Sequence, residues 1–343
     1  MKLAYAALMI AAFASPLMAE GLKNTDQAEE AENLLPPAGA KVGNVDADNG
    51  KDSLARRANF AEAMNDVAER QKVFAGEPEK FSLNGSFAQG GILFGQTEAG
   101  AKVTLDGDEV MVDHEGRFLL GFGRDSAPTA LVVVTLPDGE VERRAINIED
   151  RVFPVQRIDG LDQSKVSGFT EEQLAKIAVD TKLKKDAREK TQDIADWSVG
   201  FDWPLQGRIS GVFGSQRILN GEPKRPHTGL DIAAPSGTAI RAPAPGIVRL
   251  AEGDMYFEGG LVLLDHGHWL ESAFLHMSRV DVTPGQRVEK GDVIGAVGAT
   301  GRATGPHLHW SLKWKGRLVD PQLTLDPFVP VHAAAASGDK GGE

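Results

Sequence analysis

The stretch GIVRLAEGDMYFEGGLVLLDHGHWLESAFLHMS, residues 246–278, decides the fold of this chain. Its apolar runs are short, rich in Val, Leu and Ile, and separated by glycines, which is typical of strands joined by turns. The same texture extends in both directions, with prolines at the turns. It predicts an antiparallel all-β domain over residues 199–328 and a chain that is mainly β.

A second β region precedes this domain. The segment AKVTLDGDEVMV, residues 101–112, alternates apolar and polar residues around an Asp-Gly pair, which is a strong hairpin signal. Residues 130–148 repeat the pattern around another Asp-Gly pair. Short strands at this spacing predict a small Ig-like β-sandwich over residues 79–155. His114 stands alone in one of its turns and is interpreted as a surface histidine.

Two segments show helical patterns. Residues 53–78 carry apolar residues at helical spacing and begin at Ser53, a residue suited to capping. Residues 156–198 form a predicted helical arm, with a capping box from Thr170 to Gln173. The helix of this arm is otherwise charged, so we expect one narrow apolar stripe to rest on another part of the protein. That stripe consists of Leu174, Ile177, Ala178 and Leu183.

Both ends of the chain have sequences that are not typical of a folded domain. Lys2 and the apolar run that follows it predict a signal peptide over residues 1–19, because about 12 apolar residues are too few to span a bilayer. The alternative is an uncleaved N-terminal anchor. Residues 20–52 predict an acidic linker and residues 329–343 a disordered tail. The expected location is therefore outside the cytoplasm, in the periplasm or cell envelope, with no integral membrane span.

The amino-acid composition limits which metal ligands and which binding partners this chain can have. The 343 residues include no cysteine, so a metal site must use His, Asp or Glu. The net charge is −12, and the excess of acidic residues lies outside residues 199–326, where basic and acidic residues balance. Such a chain is poorly suited to bind nucleic acid or an anionic membrane.

Six of the eight histidines lie between residues 227 and 309. His307 and His309 are two residues apart in a strand-like run, so their imidazoles face the same side. His227 and Asp231 supply an imidazole and a carboxylate from one short segment that glycine and proline keep from being helical.

A catalytic zinc site needs about three protein ligands and one open position. His227, Asp231 and one of His307 and His309 can supply those ligands. The other histidine, together with His276, would stand beside the metal and could act as a base or polarise the intermediate.

Two further histidines and three tryptophans are weaker candidates for functional residues. We expect His266 and His268, which flank a glycine after an apolar strand, to serve the turn or to support the site from behind. Trp269, Trp310 and Trp314 either line a substrate groove or are half-buried residues of the sheet.

The motifs as a set resemble the lysostaphin/LytM-type zinc metallopeptidase family over residues 199–326. The resemblance rests on H-x-x-x-D, on a strand ending in AFLHMS, and on GATGRATGPHLHW. Supporting matches are GSQR (214–217), APAPGIV (242–248), VTPGQRVEKGDVIGAVGATG (282–301) and DPQ (320–322).

The resemblance implies a set of roles. It implies a Zn2+ ion held by His227, Asp231 and His309, with His276 and His307 as catalytic residues that do not bind the metal. It also implies an antiparallel sheet with the metal at the floor of a groove. The implied activity is that of a peptidoglycan DD-endopeptidase, with the peptide stems as substrate and often the D-Ala to diaminopimelate cross-link as the bond cut.

Three alternatives remain. Degenerate LytM-type domains activate cell-wall amidases without being enzymes, but they have lost metal ligands that this chain keeps. The enzyme could be latent, with the arm over the groove. A carrier domain with a modified lysine is disfavoured, because Lys290 lacks the apolar flanks that such a lysine needs. A protein partner bound through the N-terminal β-domain is also expected.

Overall fold

The computed structural model describes residues 79–159 and 169–325. The predicted signal peptide (1–19), acidic linker (20–52), first helix (53–78) and C-terminal tail (329–343) lie outside the described residues. Among the residues that are described, none of the helices combines the length and apolar character needed to cross a membrane.

A small sandwich of two antiparallel sheets is built first along the chain. One sheet has the order β1-β2-β5 and the other the order β4-β3-β6-β7. The inner faces of both sheets contribute to one buried apolar cluster. The predicted hairpin at Asp106 and Gly107 joins β3 to β4, and both residues have positive φ. The strands are β1 (Phe81–Gly85), β2 (Ile92–Thr97), β3 (Lys102–Leu105), β4 (Asp108–Val110), β5 (Arg117–Gly121), β6 (Thr129–Thr135) and β7 (Val141–Asn147).

A large antiparallel sheet follows, with the path β17-β14-β15-β16-β19-β12-β9. Strand β18 joins β13 and β16, and β20 pairs with β19. The mainly β class and the antiparallel sheet that the sequence predicts are confirmed. The strands are β9 (Arg208–Gly211), β12 (Leu230–Ala233), β13 (Ala239–Arg241), β14 (Gly246–Met255), β15 (Gly259–Asp265), β16 (Leu270–Val280), β17 (Arg287–Val288), β18 (Val293–Val297), β19 (His307–Trp314) and β20 (Arg317–Val319).

A third, small sheet connects the two parts. Strand β8 (Val155–Ile158), which leaves the small sandwich, pairs in parallel with β10 (Gln216–Leu219), and β10 pairs with β11 (Glu222–Pro223). Short 3-10 helices at Asp196–Val199 and Pro321–Thr324 complete the elements described. The described residues that follow the sandwich therefore include a strand that pairs with β10.

The apolar run of β15 has no alternation because both faces of the strand are buried. Val262 and Leu264 belong to the main core, whereas Leu261 and Leu263 belong to a second cluster on the opposite face. Ala187, the last residue of helix α1 (Glu171–Ala187), packs against this second cluster. The helix thus helps to cover the second face of the large sheet.

Of the predicted apolar stripe of α1, only Ile177 is buried. The buried residues of the helix are Ile177, Asp180 and Lys184, whereas Leu174 and Leu183 are 41% and 38% exposed. The predicted capping box is present, since Thr170 and Gln173 bond each other's backbone N–H groups. The helix therefore docks mainly through a charged face, which the apolar pattern alone does not reveal.

The charged face is buried because the turn between β14 and β15 supplies partners for it. Asp180 accepts a hydrogen bond from the backbone N–H of Tyr256 at 2.7 Å, and Lys184 forms a buried ion pair with Glu258. The ring of Phe169 packs edge-on against Tyr256 and Phe257. Buried charges are tolerated when they are paired in this way.

Of the three tryptophans considered as possible groove residues (Trp269, Trp310 and Trp314), two are core residues. Trp310 and Trp314 are buried, and the Trp310 indole N–H donates to Ser272 Oγ at 3.3 Å. Trp314 packs against Gly121, where a Cβ would lie 2.9 Å from the indole, so it joins the large sheet to the small sandwich. The groove interpretation is wrong for these two residues. Trp269 is 37% exposed, in the turn before β16.

Candidate active site

Three predicted ligand side chains meet on adjacent strands. Asp231 of β12 lies directly opposite His309 of β19, and His227 precedes β12. Asp231 Oδ1 is 2.9 Å from His227 Nε2 and 2.8 Å from His309 Nδ1, and the two nitrogens are 3.0 Å apart. All three residues are buried. A bend at Gly229 and one cross-strand pair build this triangle.

Hydrogen bonds orient the two imidazoles of the triangle. His227 Nδ1 lies 3.0 Å from the carbonyl oxygen of Val212, and since a carbonyl only accepts, this nitrogen carries the hydrogen. His227 Nε2 is then left with its lone pair toward Asp231. His309 presents Nδ1 to the triangle, while its Nε2 lies 3.3 Å from Thr228 Oγ1.

The charge states follow from burial and hydrogen bonds. Burial lowers the pKa of His227 to about 4, against an opposing effect of Asp231, so this imidazole is neutral at pH 7. Burial alone would raise the pKa of Asp231, but the adjacent imidazoles of His227 and His309 hold that pKa well below its usual value. The group is thus a carboxylate between two imidazoles.

The donor set fits a zinc ion. Ligand nitrogens and oxygens lie about 2.0–2.2 Å from Zn2+, so ligands of one ion must be close neighbours, as these three atoms are. Neutral imidazoles and a carboxylate are the protonation states that metal binding requires. Three electron-pair donors 2.8–3.0 Å apart also repel one another unless a proton or a cation lies among them. Two histidines and one aspartate leave a fourth position open.

The loop before β10 holds this triangle in place. The backbone N–H of His227 donates to Ser215, and that of Gly214 donates to His227. Gly214 has a φ of 75°, and a Cβ there would lie 2.2 Å from the ring of Phe153. Phe153 belongs to the segment between the small sandwich and β8, so this segment braces the loop that hydrogen-bonds the backbone of the first ligand.

A further contact to the triangle comes from Arg217 in β10. Its Nη2 donates to Asp231 Oδ2 at 2.7 Å, so the carboxylate turns its other oxygen to the two imidazoles. A second partner of this kind fixes the orientation of a metal ligand. The GSQR motif contains Arg217, but the sequence did not indicate its contact, because the contact depends on how β10 lies beside β12.

His276 occupies a bulge in β16. Between the pairs Gly260–Met277 and Val262–Phe274, two residues of β16 oppose one of β15. His276 has a φ of 64°, which is uncommon for a residue other than glycine and is concentrated at functional sites. Bulges redirect side chains in this way next to active sites.

The ring of His276 is oriented through one nitrogen. Nδ1 donates to the carbonyl oxygen of Thr300 at 2.9 Å, and the backbone N–H donates to Glu258. Burial, together with the charges of His309 and His307, lowers the pKa of His276 to about 3, so the ring is neutral at pH 7. Nε2 is left as an acceptor.

His307 shows the same arrangement from the opposite side. It shares a face of β19 with His309, as the i, i+2 spacing predicted. Nδ1 lies 2.8 Å from the carbonyl oxygen of Gly305, and Nε2 lies 3.8 Å from Asp231 Oδ1. The ring centroids of His276 and His307 are 4.8 Å apart. Both rings are therefore held through Nδ1, and His307 Nε2 adjoins the triangle.

The other histidines lie apart from this group. His266 is fully buried between the carbonyl of Pro245 and Ser272, and His268 lies 3.3 Å from Asp193. His114 has an exposed side chain, as expected. The structure thus brings together the five side chains that the sequence singled out and leaves the remaining described histidines outside the site.

Comparison with known proteins decides the family. The model of peptidase family M23 matches residues 225–321. A solved structure of a putative peptidase M23 from Pseudomonas aeruginosa is 31% identical, with a TM-score of 0.53, and the match covers 69% of this chain and 94% of that chain. The chain belongs to peptidase family M23. The predicted resemblance to lysostaphin/LytM-type peptidases is confirmed.

Two curated relatives illustrate the sequence similarity. Peptidoglycan DD-endopeptidase ShyA of Vibrio cholerae is 41% identical over 124 residues, which are 36% of this chain and 28% of that protein. DD-carboxypeptidase/endopeptidase Mpg of Neisseria meningitidis is 40% identical over 114 residues, which are 33% of this chain and 26% of that protein. The chain thus aligns with only about a quarter of the length of these relatives.

Proposed function

We propose that this M23 member is a zinc-dependent endopeptidase that hydrolyses peptide cross-links of bacterial peptidoglycan. One observation carries the proposal: three buried donors, from His227, Asp231 and His309, converge to within 3.0 Å of one another. The names of the related DD-endopeptidases support the choice of substrate.

His227 Nε2, Asp231 Oδ1 and His309 Nδ1 would hold the ion. When bound, Zn2+ supplies Lewis-acid chemistry, since it polarises a carbonyl group and lowers the pKa of water to about 7. Arg217 and the carbonyl of Val212 keep Asp231 and His227 in the required orientation. The site is therefore preorganised by groups that themselves remain outside the ligand set.

His276 and His307 are the proposed catalytic residues. Each donates its Nδ1–H to a backbone carbonyl, which leaves Nε2 as the ring nitrogen available beside the ligands. Such a nitrogen can accept the proton of the attacking water and return it to the departing amine. Once protonated, it can also donate a hydrogen bond to the oxyanion that develops at the scissile carbonyl. Two histidines allow both tasks at once.

The remaining parts of the proposal concern location and organisation. A peptidoglycan substrate fits export to the periplasm or cell envelope, directed by the predicted signal peptide at 1–19. We propose a division into a small β-sandwich (79–155), an arm (156–198) and a peptidase domain (199–328). A protein partner of the β-sandwich stays a prediction.

The alternative of an amidase activator is disfavoured because such domains have lost ligands that this chain keeps. For a latent enzyme, the described part of the arm, residues 169–198, makes no hydrogen bond, ion pair or ring contact with the five site residues. It packs instead on the second face of the large sheet and on the turn that contains Tyr256 and Glu258. Its described contacts are therefore those of a structural component.

The test is mass spectrometry of fragments released from purified peptidoglycan by the full chain, with and without a metal chelator. We expect stem peptides freed from their cross-links, no release with chelator, and recovery on adding Zn2+. Release of intact peptide from glycan would indicate an amidase activity. Cross-link cleavage that persists after complete removal of metal would contradict the proposal.

A further inference from the structure

His276, one of the proposed catalytic residues, has a backbone conformation that its neighbours must enforce. Its φ of 64° is strained for a residue other than glycine, and such strain persists only where the surrounding structure holds it. The backbone N–H of His276 donates to the carbonyl oxygen of Glu258 at 2.8 Å. Glu258 lies in the turn between β14 and β15, so this turn holds the bulge of β16 that carries the histidine.

The same turn also holds the loop that orients the ring of His276. The ring donates through Nδ1 to the carbonyl oxygen of Thr300 at 2.9 Å. Thr300 Oγ1 in turn accepts a hydrogen bond from the backbone N–H of Gly260 at 2.9 Å. The backbone N–H of Arg302 donates to the carbonyl oxygen of Phe257 at 2.8 Å. The position of the turn therefore affects both the backbone and the ring of the histidine.

Helix α1 contacts this turn through one charged face. Lys176, Asp180 and Lys184 follow one another at intervals of four residues, so they lie on the same side of the helix. Their partners are three alternate residues at the end of β14 and in the turn. The contacts are Lys176 Nζ to the carbonyl oxygen of Asp254 at 2.7 Å, the backbone N–H of Tyr256 to Asp180 Oδ2 at 2.7 Å, and the ion pair of Lys184 with Glu258.

The last of these contacts reaches the residue that bonds to His276. Lys184 and Glu258 are both buried, and Glu258 Oε1 accepts the hydrogen bond from Lys184. Glu258 Oε2 has no hydrogen-bond partner within residues 79–159 and 169–325, so Lys184 is the one hydrogen-bond donor to this carboxylate there. The side chain of Glu258 is thus bonded to helix α1, while its carbonyl oxygen is bonded to His276.

We propose that Lys184 is a positioning residue for His276 and acts through Glu258. The inference rests on the proposed function, because it concerns the rate of that reaction. Among the described residues, Lys184 makes no hydrogen bond or ion pair with the five site residues, so it neither binds the metal nor transfers the proton. It keeps the ring of His276 in place beside His307 and His309. A displacement of a catalytic group by about 1 Å can lower a rate about 100-fold.

The first test is Lys184→Met, which removes the charge and keeps most of the side-chain length. For the zinc-loaded full chain acting on a synthetic cross-linked stem peptide, we expect kcat to fall about tenfold to a hundredfold. KM should stay within about twofold of the wild type, and the zinc content should be unchanged, because Lys184 touches no metal ligand. A variant with wild-type kcat would overturn the proposal.

Arg188→Met is the matched control. Arg188 also belongs to the arm, and it pairs with Glu271 of β16 at 2.8 Å. Glu271 precedes His276 by five residues, which is about 16 Å along a strand. We expect the kcat of Arg188→Met to stay within about twofold of the wild type, although it too loses an ion pair between the arm and the sheet. A fall in kcat as large as that of Lys184→Met would overturn the proposal, because both effects would then reflect a general loosening of the arm.

A double variant covers the case in which Lys184→Met does not fold. The single variant leaves the carboxylate of Glu258 buried without its partner, which is strongly destabilising. Lys184→Met combined with Glu258→Gln removes both charges, so its urea midpoint should lie closer to that of the wild type. We expect kcat to remain at least about tenfold below the wild type, because the turn is no longer bonded to helix α1 at this point. A wild-type kcat in the double variant would overturn the proposal.

Hydrogen exchange at His276 separates this inference from the proposed function. In the double variant, the backbone amide of His276 should exchange with deuterium at least about tenfold faster than in the wild type, because local opening of its bond to Glu258 becomes easier. Amides in the middle of β15 should keep their rates within about twofold. Unchanged exchange at His276 would overturn the positioning role and leave the endopeptidase proposal standing. Faster exchange at His276, in a protein whose wild type cuts no cross-link, would support the positioning role and contradict the proposed function.

Discussion

The two ends of β16 carry buried histidines of opposite character. Before the strand begins, His266 has both ring nitrogens bonded within the protein, to the carbonyl of Pro245 at 2.6 Å and to Ser272 Oγ at 2.7 Å. In the second half of the strand, His276 bonds only through Nδ1 and keeps Nε2 beside two other histidines. Both side chains are buried, so burial does not distinguish a functional histidine from a structural one.

The arrangement of the partners makes the difference. The nitrogens of His227 and His309 converge on one carboxylate oxygen, and those of His276 and His307 adjoin them. His268 has a buried Nδ1 without a hydrogen-bond partner among the described residues, but its Nε2 meets only the carboxylate of Asp193. A site is therefore marked by several electron-pair donors that meet, rather than by one free nitrogen.

The largest effect is expected from His309→Ala, which removes one of three ligands. We predict loss of stoichiometric zinc and of measurable cross-link hydrolysis, because the other two ligands cannot hold the ion with an open position. Elemental analysis of the purified protein and release of stem peptides measure the two effects. A variant with a full zinc content would show that His309 lies outside the ligand set.

His276→Ala should separate metal binding from catalysis. We predict that zinc content stays at the wild-type level while kcat falls about 100-fold or more, since general acid–base groups contribute factors of about 10²–10⁴. The same elemental analysis and hydrolysis assay apply. A metal-free variant, or one with wild-type kcat, would count against the proposed role.

His266→Ala makes the same substitution at the structural end of β16. It leaves a cavity and two polar groups without their partner, and we expect a loss of about 3 kcal/mol in the free energy of unfolding. Zinc content and kcat of the folded protein should remain within about twofold of the wild type. Urea denaturation measures the free energy of unfolding. A His266→Ala protein that loses zinc but keeps wild-type stability would contradict the contrast between a structural His266 and a functional His276.

The smallest effect concerns pH. Burial lowers the pKa of His266, so below about pH 6.5 the unfolded chain binds a proton there that the folded protein does not. The free energy of unfolding then falls as the pH falls from 6.5 toward the lowered pKa, by up to about 1.4 kcal/mol per pH unit. His266→Ala lacks this contribution, so its deficit relative to the wild type should narrow on acidification.

This pH effect is measured by urea unfolding of both metal-free proteins at pH 7.5, 6.5 and 5.5. The other buried histidines are common to both proteins, so their contributions cancel in the difference. A deficit that stays constant or widens at low pH would show that His266 is protonated in the folded state.

Much of the site could be predicted because its spacings are local. His307 and His309 are two residues apart on a strand, so chain geometry alone brings them to one face, and a bend at Gly229 brings His227 back to Asp231. The bulge that turns His276 toward them is not visible in the sequence, since it arises from a register change against β15. The resemblance to the peptidase family is what predicted that His276 belongs to the site.

Other features depend on distant contacts and escaped prediction. Helix α1 buries Asp180 and Lys184 because their partners lie more than 70 residues later in the chain, which no local pattern reveals. The pairing of β8 with β10, which places Arg217 beside Asp231, is likewise a long-range event. In both places, charged residues act as structural partners where the hydropathy pattern indicates only a solvated surface.

Diffraction at the zinc absorption edge from crystals of the full chain grown with Zn2+ tests the central claim most directly. We expect one strong anomalous peak within about 2.0–2.2 Å of His227 Nε2, Asp231 Oδ1 and His309 Nδ1. His276 and His307 should adjoin that peak without binding the ion. An ion held by other residues, or no peak among these three atoms at saturating zinc, would contradict the claim.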